Sequence, residues 1–510
     1  MKNTVKRRLF AAAAVLFALC VPGCPNPWLN RMFKGELEAV TTPPGFAQPD
    51  TGGGTGTGTA GSESWYAAVT AGSAESRFLD IAVDSQGNAY CVGRTIGNGT
   101  VDFGNGTTFT GPAGGAYENA VMVKYDPQGR AQWASGVMSG SGNSSFVSIA
   151  LGGSGDIYVT GNTGGSGITY NFGLANITTG TTTDAGVIVK YSSGGIPLYQ
   201  TAPTTTSSYV PFGKIAVDSS ENVYATGMKY GVADYGNGQI TANSSYDTAV
   251  LVKYDATLTA QWVQTGSGSF THYFGALAVG ADGSIYTGGY NNGDSLVFNG
   301  QPPLGSGYSA IIVKWNGAGN ALWAKKAQGG SNASFRELAV YGGAVYAAGT
   351  QNGTDTRDYG GGVFAAGPST GINAVLVKFN AADGAAIWAK TAETGGAGAF
   401  TKLAVEGSGV YIAGYQTGTG PFTYGGGISA AATAAGTNSL LVKYNDGGTA
   451  QYARTVSAGA ADSEFLGMVL GGNSLYLTGY QTGTGTYTYF PSSLAGGSAG
   501  KNAVVMRCGK

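Results

Sequence analysis

Charge is scarce in this chain. Lys, Arg, Asp and Glu make up 11% of its 510 residues, and the formal net charge is −1. Four of the 27 basic side chains (Lys2, Lys6, Arg7 and Arg8) stand at the N-terminus; without them 23 face 28 acidic ones. No basic excess remains to neutralise phosphates, so nucleic acid is not an expected partner. Histidine occurs once, as His272 in "FTHYF", with no cysteine pair or acid cluster beside it. A zinc site needs three or four ligands, so a surface or loop histidine is expected, with no metal and no cofactor. Cysteine occurs four times, and only Cys91 and Cys508 lie beyond the N-terminal region. Helix-favouring Glu and Lys are few, while Gly reaches 90 residues; long helices are not expected.

The N-terminus reads "MKNTVKRRLFAAAAVLFALCVPGC". Basic residues precede an apolar run from Leu9 to Val21 that is short for a membrane-spanning helix, the pattern of a secretory signal. The ending "VPGC" resembles a bacterial lipoprotein lipobox. That resemblance implies a signal peptide over residues 1–23, a lipidated Cys24, and a place in the bacterial cell envelope, on a periplasmic or surface membrane face. Residues 24–62 are rich in Pro, Gly and Thr, include "TGGGTGTGTAG", and read as a flexible tether.

What is abundant is repetition. "GYQTGTG" occurs at Gly414 and again at Gly479. It belongs to a longer self-similarity with four markers. A Phe opens an apolar strand at Phe78, Phe146, Phe212, Phe274, Phe335, Phe400 and Phe465. A Tyr, with Gly at the third position after it, follows at an interval that varies by a single position: Tyr90, Tyr158, Tyr224, Tyr286, Tyr346, Tyr411 and Tyr476. A basic residue comes next, after a stretch whose length differs by several positions between copies: Lys124, Lys190, Lys253, Lys314, Lys378, Lys443 and Arg507. An aromatic then follows, again at an almost constant interval: Trp133, Tyr199, Trp262, Trp323, Trp388 and Tyr452. Three joins are rigid, and one carries a loop whose shortening the fold should tolerate. Each copy holds four strand-like runs, such as "DIAVD", "AYCVG", "AVMVKYD" and "AQWASG".

Four antiparallel strands in about 64 residues form one propeller blade, whose faces are covered only by neighbouring blades. The expected fold is all-β: a seven-bladed β-propeller over 63–510. Its blades fall near 78–137, 146–202, 212–266, 274–328, 335–393, 400–457 and 465–508. The last blade lacks a fourth strand. Trp65 precedes Phe78 by the same interval that separates the strand-four aromatic Trp133 from Phe146. Residues 63–69 are therefore expected to complete that blade beside 502–508. The markers, with "AVDSQGNAYCVG", "DFGNG" and "ENAVMVKYDPQGRAQW", resemble the seven-bladed β-propeller repeat family of bacterial secreted proteins. The resemblance implies a fold and export, and no single activity.

Loops after strands two and four should open on one face, the expected working surface. Tyr290, Asn291, Tyr415, Gln416, Tyr480 and Gln481 leave strand two there and are the candidate ligand-binding residues, able to stack on a sugar or line a peptide groove. The seven basic markers are expected to serve the fold, stems along the sheet and charges near the next turn, over the strand-four Trp. The kinase-like strings "DFG" and "DYG" recur at one loop position, and no kinase signature accompanies them. Glycoside chemistry needs two carboxylates at one site. The loop acids Asp102, Asp234, Asp294, Asp355 and Asp358 follow the repeat instead, so no catalytic residue is assigned. The reading favours a monomeric, non-catalytic module for an envelope or extracellular protein or glycan, touching the membrane only through its lipid. The competing reading is a carbohydrate-active hydrolase or lyase on the same face. Whether Cys91 and Cys508 pair is left open.

Overall fold

Short runs of alternating β-branched, aromatic and small residues, punctuated by glycine, can bury a face only by pairing into sheets. The computed structural model of the chain describes residues 64–510 except 73, 180–183, 206–208, 294, 460 and 491. The expected signal, Cys24 and the tether lie outside the described residues. Contacts divide the chain into Met1–Gly52 and Gly53–Lys510, and everything below belongs to the second unit.

The described residues contain no helix and form seven four-stranded antiparallel sheets, an arrangement consistent with a propeller. The first sheet runs Ser76–Val83, Ala89–Ile96, Glu118–Tyr125 and Ala131–Gly136 in simple meander order. The fourth comprises Phe270–Val279, Ile285–Gly293, Ser309–Trp315 and Ala321–Lys326. The seventh takes Ser463–Gly471, Ser474–Thr482 and Lys501–Gly509 from the C-terminus and Trp65–Ala68 from the start of the described chain. Trp65 pairs with Arg507 and Ala68 with Val504.

Every marker has a structural reason. The first strand bulges just after its Phe, as between Phe78 and Asp80 or Phe335 and Glu337. The bulge drives the carbonyl before that Phe against the strand-two glycine. A methyl group on Gly93 would collide with the Arg77 carbonyl, and one on Gly349 with that of Ser334. Only glycine lets the two backbones approach so closely. The Phe itself is buried between sheets. It meets a second aromatic delivered by the long loop: Phe78 with Phe103 at 5.6 Å, Phe274 with Phe298 at 5.6 Å, Phe465 with Tyr489 at 5.8 Å.

The variable loop is thus more than a spacer. It carries its own small hairpin, such as Thr100–Asp102 with Thr108–Thr110, which buries Val101 and Phe103. Asp102, Asp234 and Asp358 each accept the amide N–H two residues on and shape this turn. The "DFG" and "DYG" strings are therefore turn formers. Each hairpin also pairs with the connection arriving from the preceding sheet, as Ala71–Gly72 does with Val101–Asp102 and Gln328 with Asp358. Shortening such a loop would remove core, contrary to the sequence expectation.

The basic markers do serve the fold, and their main ring partner differs from the expected one. Their charges lie over the strand-two Tyr of the same sheet, Lys124 over Tyr90 at 5.1 Å and Lys443 over Tyr411 at 4.8 Å. Facing residues on adjacent strands bring these two together, because Tyr90 pairs with Lys124 in register. Among the described residues Lys190 and Lys443 also lie over the strand-four aromatic, Tyr199 at 5.8 Å and Tyr452 at 5.9 Å. Lys314 Nζ and Trp323 Nε1 both donate to the Ala381 carbonyl in the turn of the next sheet, and Arg507 reaches Pro127 O in the first. The strand-four aromatic instead covers a turn glycine of the following sheet: Trp323 covers Gly384, and Trp65 covers Gly129, both glycines at positive φ.

Seven hydrophobic clusters lie between sheets. One contains Trp65, Tyr476 and Val505 together with Phe78, Val121 and Tyr125, and so joins seventh and first sheets. Cys91 belongs to that cluster and Cys508 to another, and both are free, buried thiols. His272 departs from expectation. It sits fully buried in the fourth sheet's first strand, where its Nδ1 accepts the Ala249 N–H at 3.4 Å. Ser76, Ser144 and Ser463 accept the corresponding N–H in other sheets. His272 takes the role of a serine.

Candidate functional site

The bulges fall just ahead of the second residue after each marker Phe, on the first strand of each sheet. Those residues are Asp80, Ser148, Lys214, Ala276, Glu337, Lys402 and Gly467. Four of them form a charge quartet in which Asp80 and Lys402 are buried and Lys214 and Glu337 partly so. Lys402 Nζ lies 2.6 Å from Asp80 and 3.5 Å from Glu337, and Lys214 Nζ lies 2.6 Å from Glu337. Ser148 Oγ donates to Asp80 at 2.9 Å. Burial alone would raise the Asp80 carboxyl, yet the Lys402 and Lys214 ammonium groups hold it below its usual range. Two cations balance two anions, so these carboxylates are locked by lysine.

Beyond the quartet, toward the long-loop face, three repeat positions converge. The residue before the marker Phe is Arg77, Ser145, Pro211, Tyr273, Ser334, Ala399 or Glu464. The residue after the strand-two glycine is Arg94, Asn162, Met228, Tyr290, Thr350, Tyr415 or Tyr480. The residue six before the basic marker is Glu118, Asp184, Asp247, Tyr308, Ile372, Thr437 or Lys501. The fourth sheet alone has tyrosine at all three. Tyr290 and Tyr308 stack at 4.8 Å with planes 8° apart, and Tyr273 joins Tyr290 at 6.0 Å. Burial, reinforced by Tyr308 and Asp247, pushes the Tyr290 phenol to about 12, so it stays a neutral hydrogen-bonding group.

This shelf forms one wall of a cavity of about 410 Å³ between the fourth and fifth sheets. The other wall comes from Asn332, Ser334, Arg336, Asn352 and Ile372. Arg336 occupies the bulge position held elsewhere by Leu79, Val147, Gly213, Gly275, Thr401 and Leu466. It is exposed and is the single charged side chain lining the cavity. Its charge reaches Glu464, whose carboxyl burial nonetheless raises.

Of the six sequence candidates, Tyr290 lines this cavity. Gln416 and Gln481 are fully buried: Gln416 bridges the Ala430 carbonyl and the Tyr424 hydroxyl, Gln481 those of Leu494 and Tyr489. Asn291 is likewise buried and donates to Gly305 O at 3.4 Å. These amides hold the hairpins in place. Tyr415 is half-buried in the sixth sheet. Tyr480 is buried, with Lys501 Nζ 4.0 Å and Arg77 6.0 Å from its ring, and its hydroxyl faces Glu464 at 3.4 Å. Sequence reasoning missed Tyr273, Tyr308 and Arg336. Comparing the copies column by column would have drawn attention to them, because their columns vary from copy to copy while the scaffold columns do not.

Residues 80–99, spanning the first strand pair, match the model of a beta-propeller repeat family (SBBP). No curated protein matches the chain. Among solved structures, "YCF48 bound to D1 peptide" is similar at 10% identity and a TM-score of 0.40, over 87% of this chain and 98% of that one. A protein of unknown function from Bacteroides caccae is similar at 9% identity and a TM-score of 0.35, over 66% and 89%. Hydrazine synthase of Kuenenia stuttgartiensis gives 8% identity and a TM-score of 0.35, over 66% and 73%.

Proposed function

We propose that the chain is a seven-bladed propeller, closed by Trp65–Ala68, that works as a non-catalytic binding module through the mouth of its long-loop face. Closure is supported by the Trp65–Arg507 pairing, the core shared by seventh and first sheets, and the Arg507 contact with Pro127. The functional reading is carried by one observation. Tyr273, Tyr290, Tyr308 and Arg336 stand at positions that vary from copy to copy, the fourth sheet alone brings three tyrosines together there, and all four residues line one cavity. Scaffold residues recur with the repeat, whereas a ligand approaching a ring from one side needs groups on one or two blades. Catalysis is the weaker reading, because no acid lines the cavity, and Asp80 and Glu337 are neutralised by Lys402 and Lys214.

The test is capture of envelope proteins and glycans by the full chain. Tyr308→Ala should lower recovery of the bound component at least about tenfold, while Thr257→Ala, in a turn at the other end of its sheet, leaves it unchanged. Equal recovery by both variants would refute the mouth as the site. We also propose export and lipid anchoring at Cys24, motivated by "VPGC" after a short apolar run. Cys24→Ala should abolish labelling by radioactive palmitate and release the protein from membranes; persistent labelling would overturn the anchor.

A further inference from the structure

We infer that the mouth cavity takes the carboxylated end of an acidic oligosaccharide, a uronate or similar sugar acid. The inference rests on the mouth being a binding site and adds what that site selects.

Three observations lead there. The first is the shape of the tyrosine wall. Tyr290 and Tyr308 are nearly parallel and stacked face to face, with Tyr273 tilted by 53° against Tyr290. A shelf of this kind offers a face to the C–H side of a pyranose ring and phenol groups to its rim. The second is the charge of Arg336. Glu464 feels that charge from outside the lining, yet among the described residues Arg336 forms no ion pair and no acid joins it in lining the cavity. Its planar fork matches a carboxylate with two parallel hydrogen bonds. The third is the remaining lining. Asn332, Ser334 and Asn352 offer amide and hydroxyl groups suited to sugar hydroxyls, and Ile372 is the only large aliphatic side chain present. The volume, about 410 Å³, lies within the usual range for small-ligand sites.

The experiment is calorimetric titration of the full chain in detergent with oligogalacturonate, glucuronate-containing oligosaccharides and sialyllactose. Methyl esters of the same sugars and a carboxyl-terminated peptide serve as comparators. At least one acidic sugar should bind at least about tenfold more tightly than its ester. Arg336→Gln should erase that preference, and Arg336 is exposed enough for the fold to survive, as an unchanged melting curve would verify. Tyr308→Ala should weaken acid and ester alike. The inference fails if no acidic sugar binds, if acid and ester bind equally, or if Arg336→Gln keeps the preference. A peptide that binds in place of sugars, and is lost in Tyr308→Ala, would overturn the sugar assignment while leaving the mouth as a site. Sugar binding that ignores Tyr308→Ala would overturn the mouth itself.

Discussion

Replacing Lys402 by Met is the sharpest perturbation of the central charge quartet. The side chain is buried, its ammonium sits 2.6 Å from Asp80, and Asp80 is 8% exposed. Removing it leaves Asp80 with only the Ser148 hydroxyl and the more distant Ile149 N–H as close donors. Glu337 keeps Lys214, so one carboxylate, not two, loses its counter-charge. Orphaning one member of a buried pair costs about 3–5 kcal/mol, and the surviving hydrogen bonds argue for the lower end, about 3 kcal/mol. Replacing both members removes the orphan. Asp80→Asn with Lys402→Met should therefore cost about 1 kcal/mol or less, giving a coupling of at least about 2 kcal/mol once any cost of Asp80→Asn alone is added. Urea unfolding followed by tryptophan fluorescence would measure all four species. The pH dependence adds an independent sign. In the wild type the depressed Asp80 carboxyl contributes stability above its ordinary value of 3.8, lost as pH falls through the folded value. In Lys402→Met, burial without the ammonium raises that carboxyl, so acidification toward pH 4 should relieve part of the loss. A double variant as unstable as Lys402→Met, or a single variant destabilised further by mild acid, would refute the account.

Trp65→Ala should cost about 3–5 kcal/mol, because the indole is 9% exposed and packs on Gly129, Tyr125 and Tyr476; a change within 1 kcal/mol, read by thermal melting, would count against closure. Burial depresses the His272 imidazole below its ordinary 6.5, with Asp247 and Lys229 as the charged neighbours acting on it, so its neutral form contributes stability that is lost as pH falls below that value. His272→Ser, the residue other copies use, should flatten the fall in melting temperature between pH 7 and pH 5; an unchanged slope would refute this. Trimming 99–115 should destabilise the protein by several kcal/mol, since Val101 and Phe103 leave the core, where a simple spacer would cost about 1 kcal/mol or less; denaturation midpoints decide between them.

The strands, their meander order and the repeat unit were legible in the sequence because they depend on local periodicity and fixed spacing. Phe78 and its counterparts had to be buried once adjacent strands paired, whereas the Lys124 charge lies over Tyr90 and not over the strand-four Trp that the sequence suggested. The role of Gly93 was not legible, since only the bulge brings the Arg77 carbonyl onto it. His272 was misplaced because its partner, the Ala249 amide, comes from a neighbouring sheet 23 residues away. The amides Asn291, Gln416 and Gln481 looked like ligands because composition cannot tell an exposed loop end from one folded back on its own hairpin. Lys402 and Asp80 are separated by 322 residues and meet only where first strands crowd together. Tyr308 and Arg336 likewise come from different sheets. Local pattern determined what each sheet is made of. Which side chains share a cavity was decided by the packing of sheets side by side, because that packing joins positions no sequence window contains.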